Sequence, residues 1–311
     1  MHIDRIVEIR SEIGAGTRGA SLGVDAIKIA SLKKDKDFFK TIPTIRVKDD
    51  NHLLYEPEKT RSAKWIRGLE RQFKRSSKAV KKALGNDSTI LVVSGDHGSA
   101  GGLIAGIKMA HPTAKLGIIW IDAHADLHTP YTTPSGNLHG MPLATALAED
   151  NLDMQQNKPS EETKIYWEKL KLIGRIKPKL DPQNLVFLGL RDYEKEEAHL
   201  IEKHNILHWN VPQIRDMGIE EACNRSLAQL ADCDLLYVSF DVDSLDPSVS
   251  QGTGTPVPDG FQPEEVIQML RMFTSDKRTR VLEITEINPL LDSGNTMAEV
   301  AFDILWEIVD D

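Results

Sequence analysis

Short apolar runs punctuate the chain at Ile6–Ile9, Ile90–Val93, Leu116–Ile121, Leu185–Leu188, Leu235–Phe240 and Val281–Ile284. They are nearly continuous rather than alternating, which is the pattern of strands covered on both faces of a parallel sheet. Between them, helical periodicity occupies Pro57–Leu84, Gly101–Ala110, Glu161–Leu172, Glu194–Lys203, Ile214–Leu230, Pro263–Phe273 and Thr296–Val309. Alternation of β and α over the whole length predicts a three-layer α/β/α fold with a central, mainly parallel sheet and right-handed crossovers. No repeat, low-complexity tract or Pro/Gly/Ser-rich linker divides the chain, so residues 1–311 are expected to form a single domain.

Composition narrows the function classes. With 38 Lys+Arg against 47 Asp+Glu the net charge is −9, which disfavours a nucleic-acid partner, since phosphate binding needs clustered positive charge. The basic stretch Lys64–Lys82 reads as the solvated face of a helix whose apolar stripe includes Trp65, Ile66, Leu69, Phe73 and Val80. Apolar runs fall far short of the roughly 20 residues that cross a bilayer, so no membrane partner is expected. Two cysteines, Cys223 and Cys233, support neither a disulfide framework nor a four-cysteine zinc site and read as small buried hydrophobes. The opening MHIDRIVEIR mixes charge with apolar residues, unlike a secretory signal, and a cytoplasmic protein is expected.

Gly14-Ala-Gly16-Thr-Arg-Gly19 matches G-x-G-x-x-G, but no helix opens at the third glycine and no acidic strand end follows about 20 residues on. It reads as a glycine loop after the first strand, bordering a pocket. Chemistry concentrates elsewhere. Three apolar runs end in metal-ligand side chains: Gly95-Asp96-His97, Asp122-Ala-His124-Ala-Asp126, and Asp241-Val-Asp243. In extended chain, residues two apart point the same way, so Asp122, His124 and Asp126 can converge, as can Asp241 and Asp243. Ligands of open parallel sheets collect at the carboxyl ends of strands, where all three clusters fall. Four carboxylates with two imidazoles repel one another unless cations balance them, and two divalent ions do so. The oxygen-rich set without thiolate suits Mn²⁺.

Gly95-Asp-His97, Asp122-Ala-His-Ala-Asp126, Ser239-Phe-Asp-Val-Asp-Ser-Leu-Asp-Pro247 and Glu286-Ile-Asn-Pro289, in this order, resemble the ureohydrolase superfamily of arginases, agmatinases and formiminoglutamases. Thr129–Pro142, with Ser135, Asn137 and His139, is most like the arginase loop. The resemblance implies two Mn²⁺, with other divalent metals possible. His97, Asp122, Asp126 and Asp241 would hold one ion, and Asp122, His124, Asp241 and Asp243 the other. A metal-bridging hydroxide would attack the guanidinium carbon of L-arginine to give L-ornithine and urea. Asp126 would pass a proton to the leaving amine, Glu286 would pair with the guanidinium, and His139 would shuttle protons. His128, Ser135, Asn137, Asp192 and Glu194 would bind the amino-acid end. Departures fall at that end: His128 replaces the usual Asn, and Glu194 the second Asp of R-D-x-D. The stretch before Leu185 also looks longer than in typical arginases. The alternative is a relative acting on agmatine, a guanidino acid or N-formimino-L-glutamate. A homotrimer or homohexamer is implied by resemblance as well.

Overall fold

Strand-forming runs that are apolar on both sides need cover on both sides, and the computed structural model shows how they obtain it. It describes residues 1–34, 36–85 and 88–309; positions 310–311, at the end of the expected domain, lie outside the described residues. The strands are β1 (Arg5–Ile9), β2 (Thr44–Val47), β3 (Ile90–Ser94), β4 (Leu116–Ile121), β5 (Leu185–Leu188), β6 (Leu207–Trp209), β7 (Leu235–Asp241) and β8 (Thr279–Thr285). They form one sheet in the order β2-β1-β3-β8-β7-β4-β5-β6, with parallel pairing throughout.

Successive side chains of a strand take opposite faces. Ile119, Ile121, Leu236, Val238, Phe240, Leu282 and Ile284 join one core, under α1 (Gly23–Lys33), α8 (Val211–Met217), α9 (Ile219–Gln229), α10 (Pro263–Ser275) and α11 (Thr296–Val309). Ile118, Trp120, Tyr237 and Val281 join the other, under α3 (Ile66–Ala83), α4 (Ala100–Ala110), α5 (Pro142–Leu147) and α7 (Lys195–Lys203). Further buried side chains of α3 and α5 pack with α6 (Glu161–Lys171), and α2 (Phe38–Thr41) buries Phe38 against the first core. Both cysteines are buried and free, and burial raises their thiols to about 12 for Cys223 and about 11 for Cys233.

Three expectations are corrected. The helix expected over Pro57–Leu84 begins only at Ile66. Trp65 is left-handed (φ 51°), and the preceding backbone is engaged elsewhere, Lys64 N–H donating to the carbonyl of Gly136 at 2.9 Å. The helix expected over Ile214–Leu230 is two, α8 and α9, parted by Gly218 at φ 89°. Two edge strands, β2 and β6, escape the apolar-run criterion because they are short and half exposed.

Candidate metal centre and active site

Four adjacent central strands, β3, β8, β7 and β4, end on the same side of the sheet. The residues leaving them are His97, Glu286, Asp241 with Asp243, and Asp122 with Asp126. The expected convergence occurs, but not on extended backbone. β4 stops at Ile121, and Asp126 is left-handed at φ 51°; β7 stops at Asp241 and turns through Val242–Ser244. The turns split the ligands into two groups that share Asp122. His97 Nδ1 lies 3.0 Å from Asp122 Oδ2, 3.3 Å from Asp126 Oδ2 and 3.0 Å from Asp241 Oδ2. His124 Nδ1 lies 3.4 Å from Asp122 Oδ1 and 3.0 Å from Asp243 Oδ2.

Three of these atoms, His97 Nδ1, Asp122 Oδ2 and Asp126 Oδ2, are buried without a hydrogen-bond partner. Buried polar atoms are ordinarily paired. Ligand atoms that close on a common point in this way fit a cation, and His97/Asp122/Asp126 and Asp122/His124/Asp243 each form a group able to hold one. Electrostatics agree. Burial, then the neighbouring carboxylate of Asp122, pushes Asp126 well above its ordinary value. Burial, then Asp243, does the same to Asp241. Burial alone would lower His97, but Asp122 and Asp241 hold it well above its ordinary value.

The His97 ring stacks on Trp120, with centroids 4.0 Å apart and planes 2° apart. Its Nε2 faces Ser239 Oγ at 2.8 Å, and Ser239 donates to Glu283 Oε2 at 3.0 Å. Glu283 also accepts from Ser94 at 2.6 Å and from Tyr237. With its proton committed to Glu283, Ser239 accepts from Nε2–H, which leaves Nδ1 bare toward the carboxylates.

A cavity of about 220 Å³ opens above the two groups. His97, Asp122, His124, Asp126, His128, Ser135, Asn137, His139, Glu194, Asp241, Asp243 and Glu286 all line it. Asp192 is not among the lining residues; it is largely exposed, 3.7 Å from His124 Nε2. Glu286, left-handed at φ 64°, takes both its protein donors on Oε1: the N–H of His97 at 2.9 Å and Nδ1 of His139 at 3.1 Å. Burial would lower His139, but Glu286 raises it. The glycine loop borders this site as expected, with Gly14 N–H on Asp96 Oδ2 at 2.8 Å and the Gly14 carbonyl accepting from His139 N–H at 3.1 Å.

Sequence reasoning missed Glu197, Thr133, Pro134 and Thr255, which also line the cavity. Glu197 lies one helical turn beyond Glu194 in the capping box of α7, a visible signal. Glu194 Oε2 lies 2.9 Å and Glu197 Oε2 3.5 Å from His128 Nε2, and Nδ1 of His128 faces Thr132 Oγ1 at 3.1 Å. His128 holds Glu194 well below its ordinary value, whereas burial pushes Glu197 up to about 7.

An arginase from Brevibacillus brevis is 30% identical over 318 residues, covering 98% of this chain and 97% of its own. The structure of arginase from Bacillus caldovelox matches with a TM-score of 0.84 at 27% identity, covering 100% of this chain and 99% of that one. Formimidoylglutamase from Bacillus subtilis shares the fold at 17% identity (TM-score 0.75, 100% and 87% covered). The family model described as "Arginase family" matches residues 5–310, a span that begins with β1 and takes in all four strand ends of the site. The chain therefore belongs to the arginase family and is a hydrolase of the ureohydrolase type.

Proposed function

We propose that the chain hydrolyses L-arginine to L-ornithine and urea with two Mn²⁺. The observation that carries this reading is the pair of ligand groups sharing Asp122 beneath a cavity walled by Ser135 and Asn137. His97, Asp122, Asp126 and Asp241 would hold one ion, and Asp122, His124, Asp241 and Asp243 the other. When bound, such ions supply Lewis acidity and make water a nucleophile near neutral pH.

The rest falls to the chain. Glu286 has Oε2 left for the guanidinium, because both protein donors sit on Oε1. His139, with Nδ1 on Glu286, keeps Nε2 for proton exchange with the cavity. Asp126, raised by burial and by Asp122, is suited to carry a proton to the leaving amine. His128, Ser135, Asn137 and Glu194 receive the amino-acid end, with Asp192 at its outer edge. Residues 1–311 act as one domain, in the cytoplasm, as a homotrimer or homohexamer.

The test is urea release by the Mn²⁺-loaded protein from L-arginine, agmatine and 4-guanidinobutyrate, with formamide or ammonia release from N-formimino-L-glutamate in parallel. Chelator-sensitive release from L-arginine above the others is expected. Turnover of another compound alone would keep the ureohydrolase chemistry and overturn the substrate.

A further inference from the structure

An anionic substrate end entering this cavity meets carboxylates. Glu194, Glu197, Glu286 and the aspartates line it, and the lining residues include no lysine or arginine. Two nearby guanidinium groups are engaged by backbone carbonyls. Arg191 donates to Gly189, Asp243, Val257 and Pro258, and Arg18 donates to Ala15 and Thr17.

Lys64 is placed differently. It precedes α3, in the segment that sequence periodicity takes for helix, and holds the cavity loop at two points. Its N–H donates to the carbonyl of Gly136 at 2.9 Å, and its ammonium donates to Asn137 Oδ1 at 2.9 Å. Among the described residues no carboxylate lies within ion-pair distance of it, so two of its three ammonium protons keep no protein partner. The same bond orients the amide. With Oδ1 held by the ammonium, the free end of Asn137 is the donor Nδ2, which lies so close to Gly16 that a Cβ there would approach it to 2.5 Å. Ser135 Oγ accepts from Asn137 N–H at 3.1 Å, which leaves its own proton to donate. Donors thus gather on residues 135–137 with a cation behind them, while the acidic groups Glu194 and Glu197 sit at the start of α7.

We infer that Lys64 is a positioning residue that determines specificity: by holding Asn137 Oδ1 from behind, it presents Asn137 Nδ2 and Ser135 Oγ–H to a carboxylate on the substrate and adds its charge to theirs, and so selects guanidino compounds bearing that carboxylate over those lacking it. The inference rests on the ureohydrolase reading of the site and deepens it. A charge-assisted hydrogen bond at a partly buried position sets the scale of the effect.

The experiment compares Lys64→Met and Lys64→Arg with the parent protein, all loaded with Mn²⁺, on L-arginine, 4-guanidinobutyrate and agmatine. Agmatine has the guanidino tail and no carboxylate. Lys64→Met is expected to raise KM for the carboxylated substrates about ten- to hundredfold with kcat within about twofold. KM for agmatine should stay level or fall, and Lys64→Arg should recover most of the loss. A purely structural role for Lys64 would raise KM for all three compounds together, and that result overturns the inference, as does an unchanged KM for L-arginine. The arginase reading fails separately. If the parent releases no urea from L-arginine but does from 4-guanidinobutyrate, the substrate is reassigned and the Lys64 comparison is read on that compound. A parent protein that prefers agmatine to both carboxylated substrates overturns the inference outright.

Discussion

A histidine that offers one nitrogen to a cation must have its other nitrogen settled by a neighbour, and for His97 that neighbour is Ser239. The chain His97 Nε2–H, Ser239 Oγ–H, Glu283 crosses from the ligand to a buried carboxylate on the adjacent strand. Replacing Ser239 with Ala removes the acceptor, strands a buried N–H and frees the ring to choose the other tautomer. Mn²⁺ affinity in Ser239→Ala should fall about 10- to 100-fold, read by calorimetric titration of the metal-free protein; an unchanged affinity would remove Ser239 from any positioning role. Ser239 stands within the S-F-D-x-D segment, so its presence near the ligands is legible in the sequence. Its task is not. Glu283 lies on β8, and only the register that sets Ser239 beside Glu283 brings the two together.

At the scale of elements, the strands that carry the site are the easiest to read, because central parallel strands must be apolar on both faces. β4 and β5 begin and end where their apolar runs do. Periodicity fails where backbone is held by distant partners. Residues 57–65 have helical spacing, yet their hydrogen bonds go partly to the loop after β4, and Asp122–Asp126 turns where an extended segment is expected. The joint between these two loops is Gly136. At φ 74° it occupies the left-handed region, and a Cβ there would lie 1.9 Å from the carbonyl oxygen of Arg61. Gly136→Ala is expected to cost about 1–3 kcal/mol in denaturant unfolding. It should also raise KM for the substrate by displacing Ser135 and Asn137. Wild-type stability in this variant would show that the two loops are not interlocked.

For the whole molecule, the central strand ends concentrate buried like charge that the fold by itself does not neutralise. In the metal-free protein, Asp126, Asp241 and Asp243 have their pKa values raised, by burial first and by neighbouring aspartates after it. A carboxyl raised in the folded state stabilises that state when protonated, and the contribution disappears as pH rises through the folded value. His97 and His124, also raised, lose their contribution in the same direction, and Asp122, which is lowered, acts in the opposite one. Metal-free protein should therefore become more stable on acidification from about pH 8 towards about pH 6. The loaded protein has the reverse dependence, since its ligands must be deprotonated to hold cations. At about pH 8, with metal near a thousandfold over Kd, each ion adds about 4 kcal/mol, and the two together raise Tm by on the order of 10 °C for a chain of this size. Melting curves with and without chelator across this range should show a gap that is widest at the alkaline end and closes as the ligands protonate. A gap that widens on acidification, or a Tm indifferent to chelator at about pH 8, would mean that cations do not balance these carboxylates. The stability of the sheet's central strand ends would then have to come from protonated aspartates alone.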